Sequence, residues 1–346
     1  MKSKRNYYGN VKNPASLFYK DQEKNVMSVR QSLFSSLEKK SPMLGVAAKG
    51  ILQRKLNQAN QKNLPMMFEL FPWLIRDLTC LSWKKTHEIS INWLAIYLYV
   101  SFIDEHLDLK TEIKPEEFLG ASILAQKGLI NLFKIVNGTK FEKLFKDSLL
   151  DSANFQLVDV LEQAKVTEEK FEKAKSASGK NKILIACAGA LAATKESDSR
   201  FIIDFTKKIL LAVQYLDDLA DFEDDLKQKN ITVLLNEVAK KRNLDLKQIK
   251  KIELVYELII SGSLLNVISK IEKSLLTSIV LIDSNANKKK GYNPSYRFFT
   301  SLYLEVLMLR TLLENNQNNF KELPSKSKKR IIEKVERAIT KIYLHT

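Results

Sequence analysis

The sequence predicts an all-α protein, and three observations support that prediction. Glycine and proline are scarce, with 10 and 7 among 346 residues. Apolar residues recur at intervals of three and four along most of the chain, which is the period of an amphipathic helix. Runs of strict apolar–polar alternation bounded by turn residues, which would indicate strands, are not visible. With no long linker and no repeat, a single helical domain over residues 41–346 is the simplest organisation.

The predicted elements follow in chain order. The first forty residues are basic and polar, so we expect residues 1–40 to form a loosely ordered N-terminal arm. Pro115 stands where a first-turn proline belongs, and Thr167 is followed by acidic residues, as at a helix start. Residues 283–293 form the clearest loop. Helices are expected at about 43–61, 66–81, 89–109, 114–136, 141–162, 167–177, 180–193, 198–228, 233–241, 246–282, 294–315 and 325–345.

Composition narrows the class of protein. The formal net charge is +16, but the lysines are spread along the whole chain, and no arginine-rich stripe or basic–aromatic ladder indicates a nucleic-acid partner. The charge instead favours the approach of anionic substrates or peripheral contact with an anionic membrane surface. Cys80 and Cys187 lie in apolar helical contexts without metal-ligand spacing, and no secretory signal is visible. We therefore expect a soluble cytoplasmic protein.

An acidic cluster after Val213 is the most informative feature of the chain. Six of the nine residues from 217 to 225 are acidic, and no lysine relieves them before Lys227. In a helix Asp217, Asp221 and Asp224 share one face, so their charges repel one another. A solvated acidic face is the alternative, but such a face normally interleaves lysines. The pattern favours a bound divalent cation, and clustered carboxylates suit Mg2+.

A second acidic cluster closes the apolar stretch 91–103. Asp104 and Asp108 share a helical face at a spacing of four, and Glu105 is one step around the helix. Carboxylates at the end of a buried helix are costly unless they bind metal or pair with cations. The alternative is a helix end entering a polar loop. Only three histidines are present, which argues against a histidine-rich metal centre.

The order of these elements resembles the class I isoprenoid synthases, especially the trans-prenyl diphosphate synthases. Val213-Gln214-x-x-Asp217-Asp218-x-x-Asp221 is similar to their second aspartate-rich motif, and Asp104-Glu105-x-x-Asp108 resembles the first. Between them, Gln156-Leu157-x-Asp159 and Lys175-Ser176-Ala177-Ser178 resemble a Gln-x-x-Asp element and the Lys-Thr element that binds diphosphate. Lys229-Asn230-Ile231-Thr232 resembles the diphosphate-binding lysine context after the second motif. The similarity covers about residues 97–235.

The resemblance implies a helical bundle around a central active-site cavity, with about three Mg2+ ions held between the two clusters. Ionisation of an allylic prenyl diphosphate would follow, with the carbocation sheltered by apolar walls. It implies three groups of site residues. The metal ligands are Asp104, Glu105, Asp108, Asp217, Asp218, Asp221 and Asp224, with Asp104, Asp108, Asp217 and Asp221 catalytic. The diphosphate-binding cations are Lys175, Lys227, Lys229 and Arg297. The prenyl pocket has Tyr97, Tyr99, Phe102, Gln214 and Tyr215, whose aromatic members could equally be core.

The sequence departs from the elongating enzymes at the second substrate site. Those enzymes carry an early Gly-Lys-x-x-Arg-Pro and an Arg-Arg pair after the first motif, whereas residues 48–55 offer only Lys49, Arg54 and Lys55 in a different context, and Asp108 is followed by Leu109. The pattern therefore favours a terpene synthase, a lyase that needs one substrate. A chain-elongating or head-to-head prenyltransferase is the alternative, as is a non-catalytic isoprenoid-synthase-like subunit. The partners are then a prenyl diphosphate and, left open, a second copy in a homodimer.

Overall fold

The computed structural model describes residues 14–62, 67–109, 114–162, 182–228, 232–242, 249, 251–285 and 293–342. This part of the chain is all helical and contains no strand, which confirms the predicted all-α class. Two short 3-10 helices, Glu196–Asp198 and Phe320–Glu322, accompany the α-helices. The α-helices in this part are α1 (Pro14–Lys40), α2 (Pro42–Lys62), α3 (Met67–Thr79), α4 (Trp83–Leu109), α5 (Pro115–Val136), α6 (Glu142–Glu162), α7 (Ile183–Ala193), α8 (Ser199–Gln228), α9 (Val233–Arg242), α10 (Lys251–Ile260), α11 (Ser263–Asn285), α12 (Pro294–Gln317) and α13 (Ser325–Ile342).

Helix α1 corrects the prediction of an N-terminal arm for residues 14–40. Its side chains at helical spacing, Phe18, Val26, Val29, Leu33 and Leu37, are all buried. They pack in the core because α1 lies against α2, α3, α4 and α12. The buried Arg30 guanidinium bonds both carboxylate oxygens of Glu69 on α3. Residues 1–13 of the predicted arm lie outside the described residues.

Two helix boundaries differ from the sequence prediction for local reasons. Helix α4 begins at Trp83 rather than near 89, because the Ser82 hydroxyl accepts from the Lys85 amide at 3.3 Å and caps the first turn. The long helix predicted over 246–282 is broken at Gly262, whose φ of 72° lies in the left-handed region. The two parts, α10 and α11, meet at an angle of 67°.

Helix α7 lies in the interior of the bundle. Residues Ile183 through Ala192 are all buried, and the helix contacts α3, α4, α5, α6 and α8. Its many alanine side chains are small, so this interior helix occupies little volume among its neighbours. Cys187 is fully buried there, and burial raises the pKa of its thiol. Cys80 differs from the prediction, since it is exposed in a turn after α3 with a φ of 54°.

Helices α4 and α8 start at the same end of the bundle. The Lys195 ammonium, just before α8, donates to the carbonyl of Thr79, the last residue of α3, and pairs with Asp198 at 2.7 Å. Thr79 is a few residues before α4, which begins at Trp83. Helix α7 ends beside this point at Ala193 and contacts both α4 and α8. We call this end of the bundle the shared end.

Within the described residues, α5 is long and apolar enough to cross a membrane, as is the bent pair α10–α11. Core helices of soluble proteins have the same length and composition, and Ala121, Leu124 and Leu132 of α5 are buried in the bundle.

Candidate functional site

The second acidic cluster lies on the last third of α8, whose helix continues without interruption to Gln228. On the helical face of Asp217, the residues four and seven positions earlier are Val213 and Leu210. Both of those side chains are buried. The face that carries the acidic stripe is therefore the continuation of a buried face of α8. Apart from Asp218, the side chains of the cluster lie outside the described residues.

The first acidic cluster occupies the last turns of α4. Asp104 and Asp108 continue the helical face of Tyr97 and Ser101, and both of these residues are buried. The Tyr97 ring stacks on Phe68 of α3 with centroids 4.8 Å apart. As on α8, the carboxylate positions extend an interior face beyond the packed part of the helix. The side chains of Asp104, Glu105 and Asp108 are not among those described.

Both clusters are remote from the shared end. With a rise of 1.5 Å per residue, each lies roughly 30 Å along its helix from that end. The first residues of the two helices lie close together, and both helices contact α7. Their acidic residues lie at a similar distance along each helix from its first residue. Each predicted motif therefore lies in the last turns of its own helix, far from that helix's start.

Asp218 is the acidic residue of the second cluster whose side chain is described. It is only 6% exposed, and one of its oxygens accepts from the Gln214 carboxamide at 2.8 Å. A buried carboxylate costs free energy unless it is paired or hydrogen-bonded, and Gln214 supplies one such bond. Gln214, predicted to line the prenyl pocket, therefore orients this carboxylate within α8.

Lys270 on α11 is a cation that packs beside α8. Its ammonium lies 5.6 Å from the centre of the Tyr215 ring and 3.8 Å from a carboxylate oxygen of Glu237 on α9. Tyr215 is two residues before Asp217, and residues two apart on a helix point to nearly opposite sides, so Lys270 does not lie on the face of Asp217. No signal in the sequence identifies Lys270, because its position depends on the antiparallel packing of α11 against α8.

The remaining predicted pocket aromatics are packed in the core. Tyr97 and Phe102 are buried, and the Phe102 ring contacts the His106 ring at 4.4 Å. Tyr99 is half-buried against the core cluster, and Tyr215 is buried under Lys270. These contacts agree with the alternative given above, that the aromatic side chains belong to the core.

The predicted diphosphate-binding cations are placed only in part. Lys175 and Lys229 lie outside the described residues, and for Lys227 the structure describes only the helical backbone at the end of α8. Arg297 is not brought to the acidic clusters. Its guanidinium pairs with Asp21 at 3.2 Å, and Phe299, two residues on, packs against Phe205 in the early part of α8.

Arg297 lies where it does because hydrogen bonds fix the first turn of helix α12. The Asn293 carboxamide donates to the Asp77 carbonyl, and the Ser295 hydroxyl donates to the Leu74 carbonyl. These bonds fix the first turn of α12 beside the end of α3, which is the shared end. Arg297 is therefore left out of the proposed site.

The donor chemistry of the two clusters fits Mg2+, since carboxylate oxygens at a spacing of four on rigid helices suit a hard divalent cation. Among the side chains that the structure describes, no group of three His, Cys, Asp or Glu could hold a metal ion. That set leaves out Asp104, Glu105, Asp108, Asp217, Asp221 and Asp224.

The sequence matches no protein-family model and no curated protein.

Proposed function

We propose that the chain is a Mg2+-dependent class I terpene synthase that ionises an allylic prenyl diphosphate. The carbocation then cyclises or captures water, and diphosphate is released. The observation that supports the proposal is that each acidic motif follows buried residues of the same helical face, Tyr97 and Ser101 on α4 and Leu210 and Val213 on α8. Both helices start at the shared end and present their acidic residues far from it.

Burial of the flanking residues supports this proposal over a solvated acidic surface. Ser101 precedes Asp104 by three residues and is buried, as are Val213 before Asp217 and Asp218 after it. A bound cation relieves the repulsion among carboxylates that extend such faces. Asp104, Asp108, Asp217 and Asp221 would hold Mg2+, with Glu105, Asp218 and Asp224 beside them. Bound there, Mg2+ would stabilise the negative charge of the leaving diphosphate.

The reaction needs one bond to break before others form. The C–O bond of the allylic ester breaks, and its electron pair leaves with the diphosphate. The resulting allylic cation is consumed either by an internal double bond followed by loss of a proton, or by water.

The N-terminal cations support a one-substrate reaction over condensation with isopentenyl diphosphate. Lys49 forms an ion pair with Glu38, and Arg54 forms a two-pronged pair with Glu117, with N–O distances of 3.1 and 3.2 Å. Both belong to the segment 48–55, where elongating enzymes carry an early Gly-Lys-x-x-Arg, and the side chain of Lys55 in that segment lies outside the described residues. Because carboxylates already engage both, they make a poor second diphosphate site.

The test is product analysis with purified protein and Mg2+. Geranyl, farnesyl and geranylgeranyl diphosphate are each supplied with and without isopentenyl diphosphate, and diphosphate release and hydrocarbon products are measured. We expect a terpene hydrocarbon or alcohol from at least one substrate without isopentenyl diphosphate, and none when EDTA replaces Mg2+.

Other outcomes separate the alternatives. Longer prenyl chains formed only with isopentenyl diphosphate would replace the synthase by a chain-elongating prenyltransferase. A head-to-head product from two allylic substrates would indicate a squalene-synthase-like enzyme. No turnover in any mixture would contradict the proposal and favour a non-catalytic subunit.

A further inference from the structure

An open groove lined by lysines and other side chains, both polar and apolar, lies near the shared end. Its volume is about 710 Å3, within the size range of small-molecule sites. It is formed where α1, α4 and α5 meet the end of α7. The residues that define its character are Ser36, Lys85, Asn92, Lys127, Asn131 and Lys134.

The lining residues come from two regular helical faces. On α5, Lys127, Asn131 and Lys134 follow at spacings of four and three, so all three lie on one face. On α4, Lys85, Glu88 and Asn92 follow at spacings of three and four. Helices α4 and α5 pack side by side along much of their length. Two polar faces therefore meet in one concave surface.

Close packing fixes the floor of this groove. A Cβ atom on Gly128 would lie 2.5 Å from the Asn92 carbonyl oxygen, so only glycine allows this approach of α5 to α4. Beside it, the Asn131 carboxamide donates to the Asn92 side-chain oxygen at 2.9 Å. The Lys127 ammonium donates to the Ser36 hydroxyl at 3.2 Å, which links α5 to α1. The donors are thus held in place before any ligand binds.

The charge of the groove is positive. Three lysines line it, and Glu88 is the one carboxylate among the described lining residues. Glu88 lies 3.5 Å from Lys85, and Lys134 pairs with no carboxylate in the described part of the chain. A concave surface with excess positive charge concentrates small anions, and hydroxyl and carboxamide groups add hydrogen bonds to phosphate oxygens.

We propose that this groove binds the phosphate groups of a small di- or triphosphate anion without the help of Mg2+. The described lining has no aromatic side chain on which bases could stack, which argues against single-stranded nucleic acid. Along α4, Lys85 lies roughly 28 Å from Asp104, so the groove is separate from the acidic clusters. The proposal does not depend on terpene synthase activity.

The test is calorimetric titration of the full chain with inorganic diphosphate and tripolyphosphate, in EDTA and at constant ionic strength. The groove variant is Lys85→Gln/Lys134→Gln, in which both side chains are exposed and the fold should be retained. The matched control is Lys273→Gln/Lys326→Gln, which removes the same charge from exposed positions on α11 and α13. Thermal melting checks that both variants fold.

We expect saturable one-to-one binding by the native chain and the control, and a Kd raised by about tenfold or more in the groove variant. Lys127→Gln should weaken binding similarly, and Asp217→Asn should leave it unchanged. Absence of saturable binding by the native chain would overturn the proposal. So would equal weakening in the groove and control variants, because that result means nonspecific attraction to a basic protein.

Discussion

Asp77 connects three helices near the shared end. Its carboxylate accepts from the Gln22 carboxamide of α1 at 2.8 Å, pairs with Arg76 at 3.2 Å, and accepts from the Ser295 hydroxyl of α12 at 3.5 Å. Burial raises the pKa of Asp77 to about 6, although Arg76 and Ser295 oppose the shift. Ionising this carboxyl group therefore costs free energy in the folded protein.

The raised pKa predicts a pH-dependent effect of Asp77→Asn. Because the folded pKa exceeds the unfolded value of 3.8, the stabilisation from the neutral acid is complete below about pH 4 and is lost as the pH rises through about 6. The amide variant stays neutral, so its stability relative to the native chain should improve by about 3 kcal/mol between pH 4 and pH 7.5. Urea unfolding at pH 4, 6 and 7.5 measures this difference. A difference independent of pH would show that Asp77 does not titrate as described.

Asp217 is the residue on which the proposed chemistry depends most. Asp217→Asn keeps the size of the side chain and removes its charge, so we expect kcat with the preferred allylic diphosphate to fall by at least about a hundredfold. The control is Asp204→Asn on the same helix, where an exposed aspartate lies 3.6 Å from Arg200. Steady-state diphosphate release should be near normal in the control. Near-normal turnover by the Asp217 variant would remove this residue from the mechanism.

At the scale of helices, the contact between α4 and α5 depends on one glycine. A Cβ on Gly128 would meet the Asn92 carbonyl at 2.5 Å and Ile96 at 3.0 Å, so the helices must separate in Gly128→Ala. We expect a loss of about 1–3 kcal/mol, typical of overpacking.

The matched control for this contact is Gly50→Ala on α2, where an added Cβ meets nothing within 4 Å. There alanine should stabilise the helix by about 0.5–1 kcal/mol. Urea unfolding of both variants gives the comparison. A stabilising or neutral Gly128→Ala would contradict the described approach of α5 to α4.

The break between α10 and α11 shows that apolar periodicity alone does not predict where a helix ends. The apolar pattern continues through Ser261 and Gly262, so the sequence favours one helix over 246–282. The structure bends there because Gly262 adopts a φ of 72° and the Ser263 amide bonds the Ser261 hydroxyl. A Cβ at Gly262 would also lie 2.7 Å from Gln317. The local sequence pattern does not predict this contact, because Gln317 of α12 is distant along the chain from Gly262.

For the whole molecule, the all-α class follows from composition and period, and the helices that carry both acidic motifs are confirmed. The helical period of α1, from Phe18 to Leu37, was present in the sequence, but the surrounding charges obscured it and led to the incorrect prediction of an arm. The shared end could not be predicted, because it depends on the contact of Lys195 with Thr79. The same holds for Lys270, and for the distance of Arg297 from the acidic clusters.

The role of α1 in the core predicts the effect of Leu33→Ala. Leu33 is 1% exposed and packs in the main core cluster, so the variant should lose about 2–5 kcal/mol. Leu17→Ala removes the same atoms from a side chain that is 44% exposed on the same helix, and should change stability by less than about 0.5 kcal/mol. Chemical denaturation measures both. Equal, small effects would mean that α1 is a dispensable arm.

The most direct test of the central claim is the Mg2+-dependent binding of inorganic diphosphate to Asp104→Asn, Asp217→Asn and the double variant. Calorimetric titrations with Mg2+ and with EDTA isolate the metal-dependent part, which excludes binding in the lysine groove. If α4 and α8 build one site, either single variant should lose the Mg2+-dependent binding, and the double variant should lose no more. Retained binding in one single variant, or independent additive losses, would contradict the account, because the two clusters would then not share a bound diphosphate.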